Sequence, residues 1–332
     1  MLAYLVILGG LVALIHYLFG KVAVNTPDFL RLPGYAQLHL GKWGKRTALF
    51  STITGLLGAL LAYLIVGGEF LASLFGPIFG GSNLLYSLLY FIAGALLIFF
   101  GIKIISKIEF WGMALFFVVL IIMFFKGFPS IRIDNFFLKS DISLFFLPYG
   151  PILFSLWGAS IIPEAEEMIP DKKHLLKRIL VLAILIPIFV YLLFIFLVLG
   201  ITGLETTKSA LGGLGNALGK GFTSLIFLFG FLTTFNAFLS AGITLKKSFL
   251  YDLKIERKIA WAITCFVPLI LFLIGINDFI PIISVIGGVM IGIDGILILL
   301  MYHKLNRKNL LVYPLILIFI FGIIYEIIYF IK

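Results

Sequence analysis

The sequence predicts an all-α polytopic membrane protein, and three observations lead to this fold class. Hydrophobic residues make up 62% of the chain and charged residues only 12%, whereas soluble domains are about half apolar and a quarter charged. The mean hydropathy is +1.20. The apolar residues form runs of about 20 residues, which is the length of a membrane-spanning helix. Basic residues concentrate in alternate linkers between these runs, as the positive-inside rule expects.

Ten runs, each bounded by charge or by Gly and Pro, are candidate spans. In chain order they are A (Leu2–Gly20), B (Ala48–Phe75), C (Leu84–Gly101), D (Phe110–Phe125), E (Leu147–Pro163), F (Leu180–Gly200), G (Phe222–Ile243), H (Ile259–Ile276), I (Phe279–Met301) and J (Leu310–Ile331). Hydropathy alone would miss span E, because several Pro and Gly residues interrupt it. It is retained because the charge pattern requires it.

Lys and Arg residues decide the predicted topology. With the A–B linker inside, about 19 of the 25 basic residues fall in the inside linkers. The remainder are Lys126, Arg132, Lys139, Lys208, Lys220 and Lys332. This difference in basic residues between inside and outside linkers persists only if E counts as a span. The resulting topology places both termini outside. The net charge of +10 is therefore explained by membrane orientation, and no nucleic-acid partner is expected.

The residue types that most enzymes need are not brought together by the sequence. Cys265 is the single cysteine, and His16, His39, His174 and His303 lack the spacing of metal ligands. No phosphate-binding loop or nucleophile elbow occurs. We therefore expect no enzyme and no metal. The alternative, a membrane-embedded enzyme acting on a lipid-linked substrate, would need His/Asp or Ser/His groups clustered at one interface.

The order of the spans indicates an inverted repeat, the arrangement in which two halves of a transporter have opposite orientation. Pairing A with F, B with G, C with H and D with I gives opposite orientation each time. Residues 1–146 would then be the remainder of a first repeat, 147–302 the second repeat and 303–332 an additional helix. The partner of E should precede Met1, so we expect that a first helix is lacking. A truncated, non-transporting remnant is the corresponding alternative.

Span E carries the candidate substrate site. Gly158 and the small residues beside it allow the helix to unwind, which frees backbone N–H groups for a carboxylate and carbonyl groups for a cation or ammonium. Irregular backbone at this depth is tolerated where it lines a cavity. The predicted substrate-binding residues are Phe154, Ser155, Trp157, Gly158, Ala159 and Ser160. The alternative is a kink used only for helix packing.

Three carboxylates fall within spans, where charge is costly and a functional role is the default interpretation. Glu69 in span B follows Gly67 and Gly68 and is expected to face inward, as is Asp294 near the middle of span I. Both are candidates for ion coupling, with a structural hydrogen bond as the alternative. Glu326 lies close to the outer end of span J, where we expect it to reach the membrane surface.

One face of span G carries a polar stripe. Its members are Thr233, Asn236, Ser240 and Thr244, at helical spacing. Such oxygen-bearing side chains could line a permeation path or coordinate Na⁺. Hydrogen bonding between helices is an equal alternative.

Five stretches carry a resemblance to prokaryotic amino-acid permeases of the amino acid–polyamine–organocation superfamily. They are Arg31–Lys45, Gly67–Phe70, the Pro-Glu-Ala-Glu-Glu end of span E (163–167), Lys246–Asp252 and Asp294–Ile298. Within the superfamily the chain resembles the aromatic and hydroxy amino-acid permeases, or the amino acid/auxin permeases.

The resemblance implies a LeuT-like inverted-repeat core in which spans A–J are family helices two to eleven. It implies a secondary active symporter that moves an amino acid across the cytoplasmic membrane by alternating access, driven by H⁺ or Na⁺ and using no other cofactor. It places half of the substrate site at residues 154–160. The expected partners are an amino acid and the lipid bilayer, with no obligate protein partner evident.

Overall fold

The computed structural model describes residues 2–26, 30–137, 145–167, 175–208, 210–218, 220–306 and 310–331. Within these ranges the regular elements are helices and none is a strand, so the all-α fold class is confirmed. The α-helices are α1 (Leu2–Val24), α2 (Leu32–Leu40), α3 (Lys42–Phe79), α4 (Asn83–Phe100), α5 (Ile102–Gly127), α6 (Tyr149–Leu156), α7 (Ile162–Glu167), α8 (Leu176–Thr202), α9 (Leu211–Leu218), α10 (Lys220–Tyr251), α11 (Arg257–Leu273), α12 (Phe279–Val285), α13 (Ile291–Leu305) and α14 (Val312–Ile331).

Eight helices in the described part of the chain are long and apolar enough to cross a membrane, with α12 and α13 together forming one of them. The protein is therefore an integral membrane protein. Predicted span H corresponds to α11, whose 17 residues are close to the minimum for spanning. Span E is divided between α6 and α7. The total of ten spans thus stays a prediction.

Two glycines join consecutive helices directly. Gly41 (φ +84°) separates α2 from α3, and Gly101 (φ +96°) separates α4 from α5. Because glycine has no Cβ, it adopts this left-handed backbone without strain, ending one helix and starting the next. The residues between predicted spans C and D therefore belong to a helix. Helix α5 begins at Ile102, directly after Gly101.

Helix ends also differ from the hydropathy limits. Helix α3 has 38 residues and is about 57 Å long at 1.5 Å per residue, so it exceeds the bilayer core. Helix α10 continues past the predicted end of span G at Ile243 to Tyr251. The reason is that Lys246 donates hydrogen bonds to the carbonyl oxygens of Ile98 (2.6 Å) and Phe99 (3.2 Å). A basic residue that finds acceptors in the protein does not end the helix.

The chain forms two compact units. Unit 1 comprises Met1–Gly55, Asp141–Leu192 and Pro281–Lys332. In it, α1 packs against α13, and α13 packs against α14. A π-helical turn, Ile286–Met290, joins α12 to α13 and packs against α6. The residue pattern of span I did not predict this turn.

Unit 2 comprises Leu56–Ser140 and Leu193–Ile280, and α10 is its central helix. Helix α10 packs against α4, α5, α9 and α11. The ring of Tyr90 on α4 packs edge-on against Phe231, Phe235 and Phe238 of α10, with centroids 5.2–6.1 Å apart. Such aromatic packing fixes the contact between the two helices.

Candidate functional site

Span E is broken where the sequence predicted it. Helix α6 ends at Leu156, and Trp157 adopts an extended conformation (φ −78°, ψ 114°). Gly158 follows, and a single 3₁₀ turn, Ala159–Ile161, leads into α7. The backbone therefore leaves α-helical geometry at Trp157 and Gly158. This frees polar groups that a continuous helix would pair internally.

His16 of α1 contacts the break directly. Its Nδ1 lies 2.7 Å from the Val12 carbonyl oxygen, and its Nε2 lies 2.9 Å from the backbone nitrogen of Gly158. The carbonyl can only accept, so Nδ1 carries the hydrogen, and Nε2 accepts from the Gly158 N–H. Both ring nitrogens of the neutral imidazole are therefore satisfied. The His16 ring is only 2% exposed and packs edge-on against Trp157 at 5.1 Å.

A side chain of α8 forms a hydrogen bond with the C-terminal end of α6. The Tyr191 hydroxyl donates to the Ser155 carbonyl oxygen at 3.1 Å. The Ser155 hydroxyl donates to the Ile152 carbonyl oxygen at 2.9 Å. The break is therefore supported on both sides by side chains of unit 1.

The predicted substrate-binding residues divide by exposure. Ser155 and Ser160 are exposed, and Phe154, Trp157 and Gly158 are half-buried. Ala159 is buried at 1% exposure, so its methyl group packs inside the protein and only its backbone is available to a ligand. The two serine hydroxyls and the backbone of the break are the groups that a solute could reach.

The inward orientation predicted for Asp294 is confirmed. Its carboxylate is buried and accepts a hydrogen bond from the Ser51 hydroxyl on α3. Ser51 Oγ also lies 3.1 Å from the Thr47 carbonyl oxygen and 3.2 Å from that of Ala48. Since a hydroxyl donates one hydrogen, only one of these three acceptors receives it at a time. The pair links α13 to the start of α3.

The inward orientation predicted for Glu69 was wrong. Its side chain is exposed, and it lies close enough to Lys208 and Asp278 for their charges to interact. Lys208 and Asp278 form an exposed ion pair at 3.4 Å. The small residues beside it explain the difference, because the faces of Gly67 and Gly68 lie against Tyr90 and Ser87 of α4. Glu69 points away from that contact.

The polar side chains of the α10 stripe mainly form hydrogen bonds within α10 or pack against α5. Thr233 donates to the Gly230 carbonyl oxygen and Thr244 to that of Ser240, both at 2.9 Å. The Asn236 amide packs on α5, where a methyl group at Gly112 would lie 2.5 Å from Asn236 Nδ2. Ser240 is exposed. Helix packing therefore accounts for Asn236, and a role in permeation for the stripe stays a prediction.

Two buried polar residues were missed by sequence reasoning. Glu326, expected at the membrane surface, is 1% exposed, and that expectation was wrong. His16 was treated only as one of four scattered histidines. The rule that any ionisable residue inside a span is a functional candidate names His as well as Asp and Glu. Applied to span A, it would have selected His16.

Within the described residues, no three His, Cys, Asp or Glu side chains form a group that could hold a metal ion. The predicted linker residue His174 lies outside the described residues.

Comparison with known proteins adds one match to this geometry. The family model of the amino acid permeases matches residues 33–253, which is more than half of the chain and includes the broken span E. No curated protein matches the chain significantly. Membership of this family indicates a transporter of amino acids in the lipid bilayer and not an enzyme. The chain belongs to the amino acid permease family of the amino acid–polyamine–organocation superfamily.

Proposed function

We propose that the protein is a secondary active symporter that carries an amino acid across the cytoplasmic membrane by alternating access. The residues around the break, Phe154–Ser160, would form one half of the substrate site. The gradient that drives uptake would be H⁺ or Na⁺. The observation that carries this proposal is the interruption of a membrane helix at Trp157 and Gly158 in a member of an amino acid permease family.

The chemistry of the break fits a zwitterion. The N–H groups of Ala159 and Ser160 start a new helical turn and so lack acceptors within it. They are suited to the carboxylate of an amino acid. The carbonyl groups at the end of α6 are suited to the ammonium group. The exposed hydroxyls of Ser155 and Ser160 would add contacts that orient the substrate.

His16 would act as a positioning residue in this mechanism. By accepting from the Gly158 N–H, it fixes the backbone where α6 ends. Tyr191 holds the Ser155 carbonyl on the other side. A preorganised backbone lowers the entropic cost of ordering the site when a substrate binds.

The architecture that we propose is a LeuT-like inverted repeat that works by alternating access, and several of its repeat partners fall in the same compact unit. The proposed repeat partners B and G, and likewise C and H, have most of their residues in unit 2, whereas A and E belong to unit 1. Span F is divided between the units at Leu192. In transporters of this class one bundle rocks against the other around a fixed site. Asp294 would hold the start of α3 in place within unit 1 through Ser51, and Glu69 stays a candidate for ion coupling.

The proposal is tested by reconstituting the protein in liposomes. Uptake of labelled amino acids is measured with an imposed pH gradient, an imposed Na⁺ gradient and no gradient. The proposal expects accumulation of at least one amino acid above equilibrium under one of the gradients. Absence of gradient-driven accumulation for every amino acid would contradict it.

A matched pair of glycine variants tests the location of the site. A Cβ at Gly158 would lie 3.7 Å from His16 Nε2, and a Cβ at Gly10 would meet nothing within 4 Å. Gly158→Leu should abolish uptake because its side chain fills the break, whereas Gly10→Leu should leave uptake near the wild-type rate. Equal uptake by the two variants would remove span E from the substrate path.

A further inference from the structure

The carboxyl group of Glu326 lies in a slot within unit 1. Glu326 is on α14 and is 1% exposed. Glycines form the walls of the slot, with Gly150 on α6 and Gly288 in the π-helical turn. A methyl group at Gly150 would lie 2.6 Å from Glu326 Oε1, and one at Gly288 would overlap the Glu326 side chain at Cγ. Only glycine at both positions leaves room for this carboxyl group.

The backbones around the slot are also in close contact. A methyl group at Gly287 would overlap the carbonyl group of Gly150, so α6 and the π-helical turn meet backbone to backbone. The same face of Gly150 lies against the Ser284 carbonyl oxygen. Glu326 therefore lies where three elements converge, and one of them is the first half of the broken helix.

The slot provides few partners for a charge. The backbone N–H of Gly150 lies close enough to interact with the carboxyl group. Glu326 Oε1, the Tyr149 hydroxyl and the Ser284 hydroxyl are buried and have no hydrogen-bond partner among the described residues. The three orphan oxygens belong to α14, α6 and α12.

The titratable groups around Glu326 are tyrosines. Tyr149 on α6, Tyr4 on α1 and Tyr325 on α14 lie close enough to interact with its charge. The π-helical turn and α12 contain no titratable residue. On α13, the face towards α14 carries Gly292 and Gly295, and Asp294 bonds to Ser51 instead. Within the described chain no Lys, Arg or His forms an ion pair with Glu326.

A buried carboxylate without a cation is unfavourable, and such a group binds a proton instead. The neutral acid has one O–H donor and can remain in the slot at little electrostatic cost. The ionised form requires water or a cation, which means that the slot must open. The π-helical turn is the element in the slot whose backbone geometry is uncommon, and such turns occur often at functional sites.

We infer that Glu326 is a proton-binding site that couples the proton gradient to movement of the broken helix. The proton binds to a carboxylate oxygen from one aqueous side while the contact of α14, α6 and the π-helical turn is open. The neutral acid then packs between Gly150 and Gly288. Reopening towards the other side releases the same proton. This inference rests on the proposed transport function and assigns its coupling ion as H⁺.

The test uses Glu326→Gln, because the amide has the shape of the protonated acid but cannot titrate. In liposomes this variant should lose the stimulation of uptake by an inward pH gradient and retain exchange of labelled for unlabelled amino acid. The control is Glu205→Gln, which alters an exposed carboxylate of unit 2 and should retain both activities. Undiminished stimulation of Glu326→Gln by the pH gradient would overturn the inference.

Other outcomes separate this inference from the proposed function. Wild-type uptake driven by Na⁺ and unaffected by the pH gradient would overturn the inference and leave the symporter proposal intact. Failure of the wild-type protein to move any amino acid would overturn the proposed function. Infrared spectroscopy then still tests Glu326, since the band of a protonated carboxyl group at neutral pH should be weaker in Glu326→Gln than in Glu205→Gln. Identical bands would overturn the inference without any transport measurement.

A second variant covers the case in which Glu326→Gln does not fold. Glu326→Asp keeps a titratable group but withdraws it from the Gly150 N–H by one methylene. Its uptake should still respond to the pH gradient, with a pH profile shifted from that of the wild-type protein. An unshifted profile would overturn the inference.

Discussion

Nε2 of His16 accepts a hydrogen bond of 2.9 Å from the backbone N–H of Gly158, so that helix α1 holds the interrupted helix at its break. The bond requires the neutral imidazole with its hydrogen on Nδ1, which donates to Val12. A proton on Nε2 would face the Gly158 N–H and break the contact. The conformation of the break is therefore tied to one side chain on another helix.

Replacing His16 with Phe should damage both stability and transport. The variant keeps an aromatic ring against Trp157 but removes the acceptor of the Gly158 N–H. Leaving a buried donor unsatisfied costs about 1–3 kcal/mol, so the detergent-solubilised protein should unfold at a lower temperature. The Michaelis constant for uptake should rise because the break is no longer preorganised. Leu14→Phe, at an exposed position of the same helix, is the control, and equal unfolding temperatures for the two variants would contradict the role of His16.

The Ser51–Asp294 pair should contribute to stability. Ser51→Ala removes the donor to a buried carboxyl group and should lower the free energy of unfolding by about 1–3 kcal/mol. Asp294→Asn keeps an oxygen that can accept from Ser51 and should be less destabilising. Thermal unfolding of the purified variants measures both effects. A larger loss for Asp294→Asn than for Ser51→Ala would show that the negative charge, and not the hydrogen bond, is what the fold needs.

Lys246 should stabilise unit 2 through the end of α4. Its ammonium group donates to the last carbonyl groups of that helix, at Ile98 and Phe99, where a positive charge is also favoured by the helix dipole. Lys246→Met keeps the apolar stem and removes the donors, so the unfolding temperature should fall. The control Lys258→Met alters an exposed lysine and should have little effect. Equal unfolding temperatures for Lys246→Met and Lys258→Met would contradict the proposed role of Lys246 in capping α4.

His39 on the short helix α2 should make the free energy of unfolding depend on pH. Burial, and secondarily the positive charge of Lys304, lower the pKa of His39, whose Nε2 lies 3.0 Å from the Thr26 hydroxyl. Because the folded state disfavours the protonated ring, unfolding takes up a proton between the lowered pKa and the ordinary value of about 6.5. Stability should therefore fall as the pH drops below about 6.5. His39→Gln should weaken this dependence in thermal unfolding measured at several pH values, and an unchanged dependence would assign it to other groups.

The sequence predicted the break in span E because Pro and Gly are visible in the residue pattern itself. It also predicted that Asp294 is buried, since a charge in the middle of a span must face protein. The predicted side-chain orientation was wrong for the other two carboxylates, Glu69 and Glu326. Glu69 has small neighbours, but those face α4, and Glu326 lies near a helix end, where a slot formed by Gly150 and Gly288 buries it. Both outcomes depend on contacts between segments far apart in the chain, which no local pattern contains.

Helix boundaries also depend on contacts between distant segments, which the local sequence pattern does not contain. A hydropathy run ends at a charged residue, yet α10 continues past Lys246 because the ammonium group finds carbonyl acceptors on α4. The π-helical turn Ile286–Met290 is recognised by a backbone hydrogen bond from the Ile291 N–H to the Ile286 carbonyl oxygen, which the residue pattern did not predict. His16 was within reach of sequence reasoning, because one ionisable residue in an apolar span is already a candidate.

The most direct test of the central claim, that the solute binds at the break in span E, is protection of a cysteine placed there. Cys265 is buried and is first replaced with Ser, leaving Ser160→Cys as the accessible thiol, with Ser82→Cys as an exposed control at the start of α4. Labelling by a maleimide is measured in liposomes with and without the amino acid that the protein accumulates. We predict that this amino acid slows labelling at position 160 and leaves position 82 unaffected. Active transport with equal labelling rates at position 160 in the presence and absence of substrate would contradict the account.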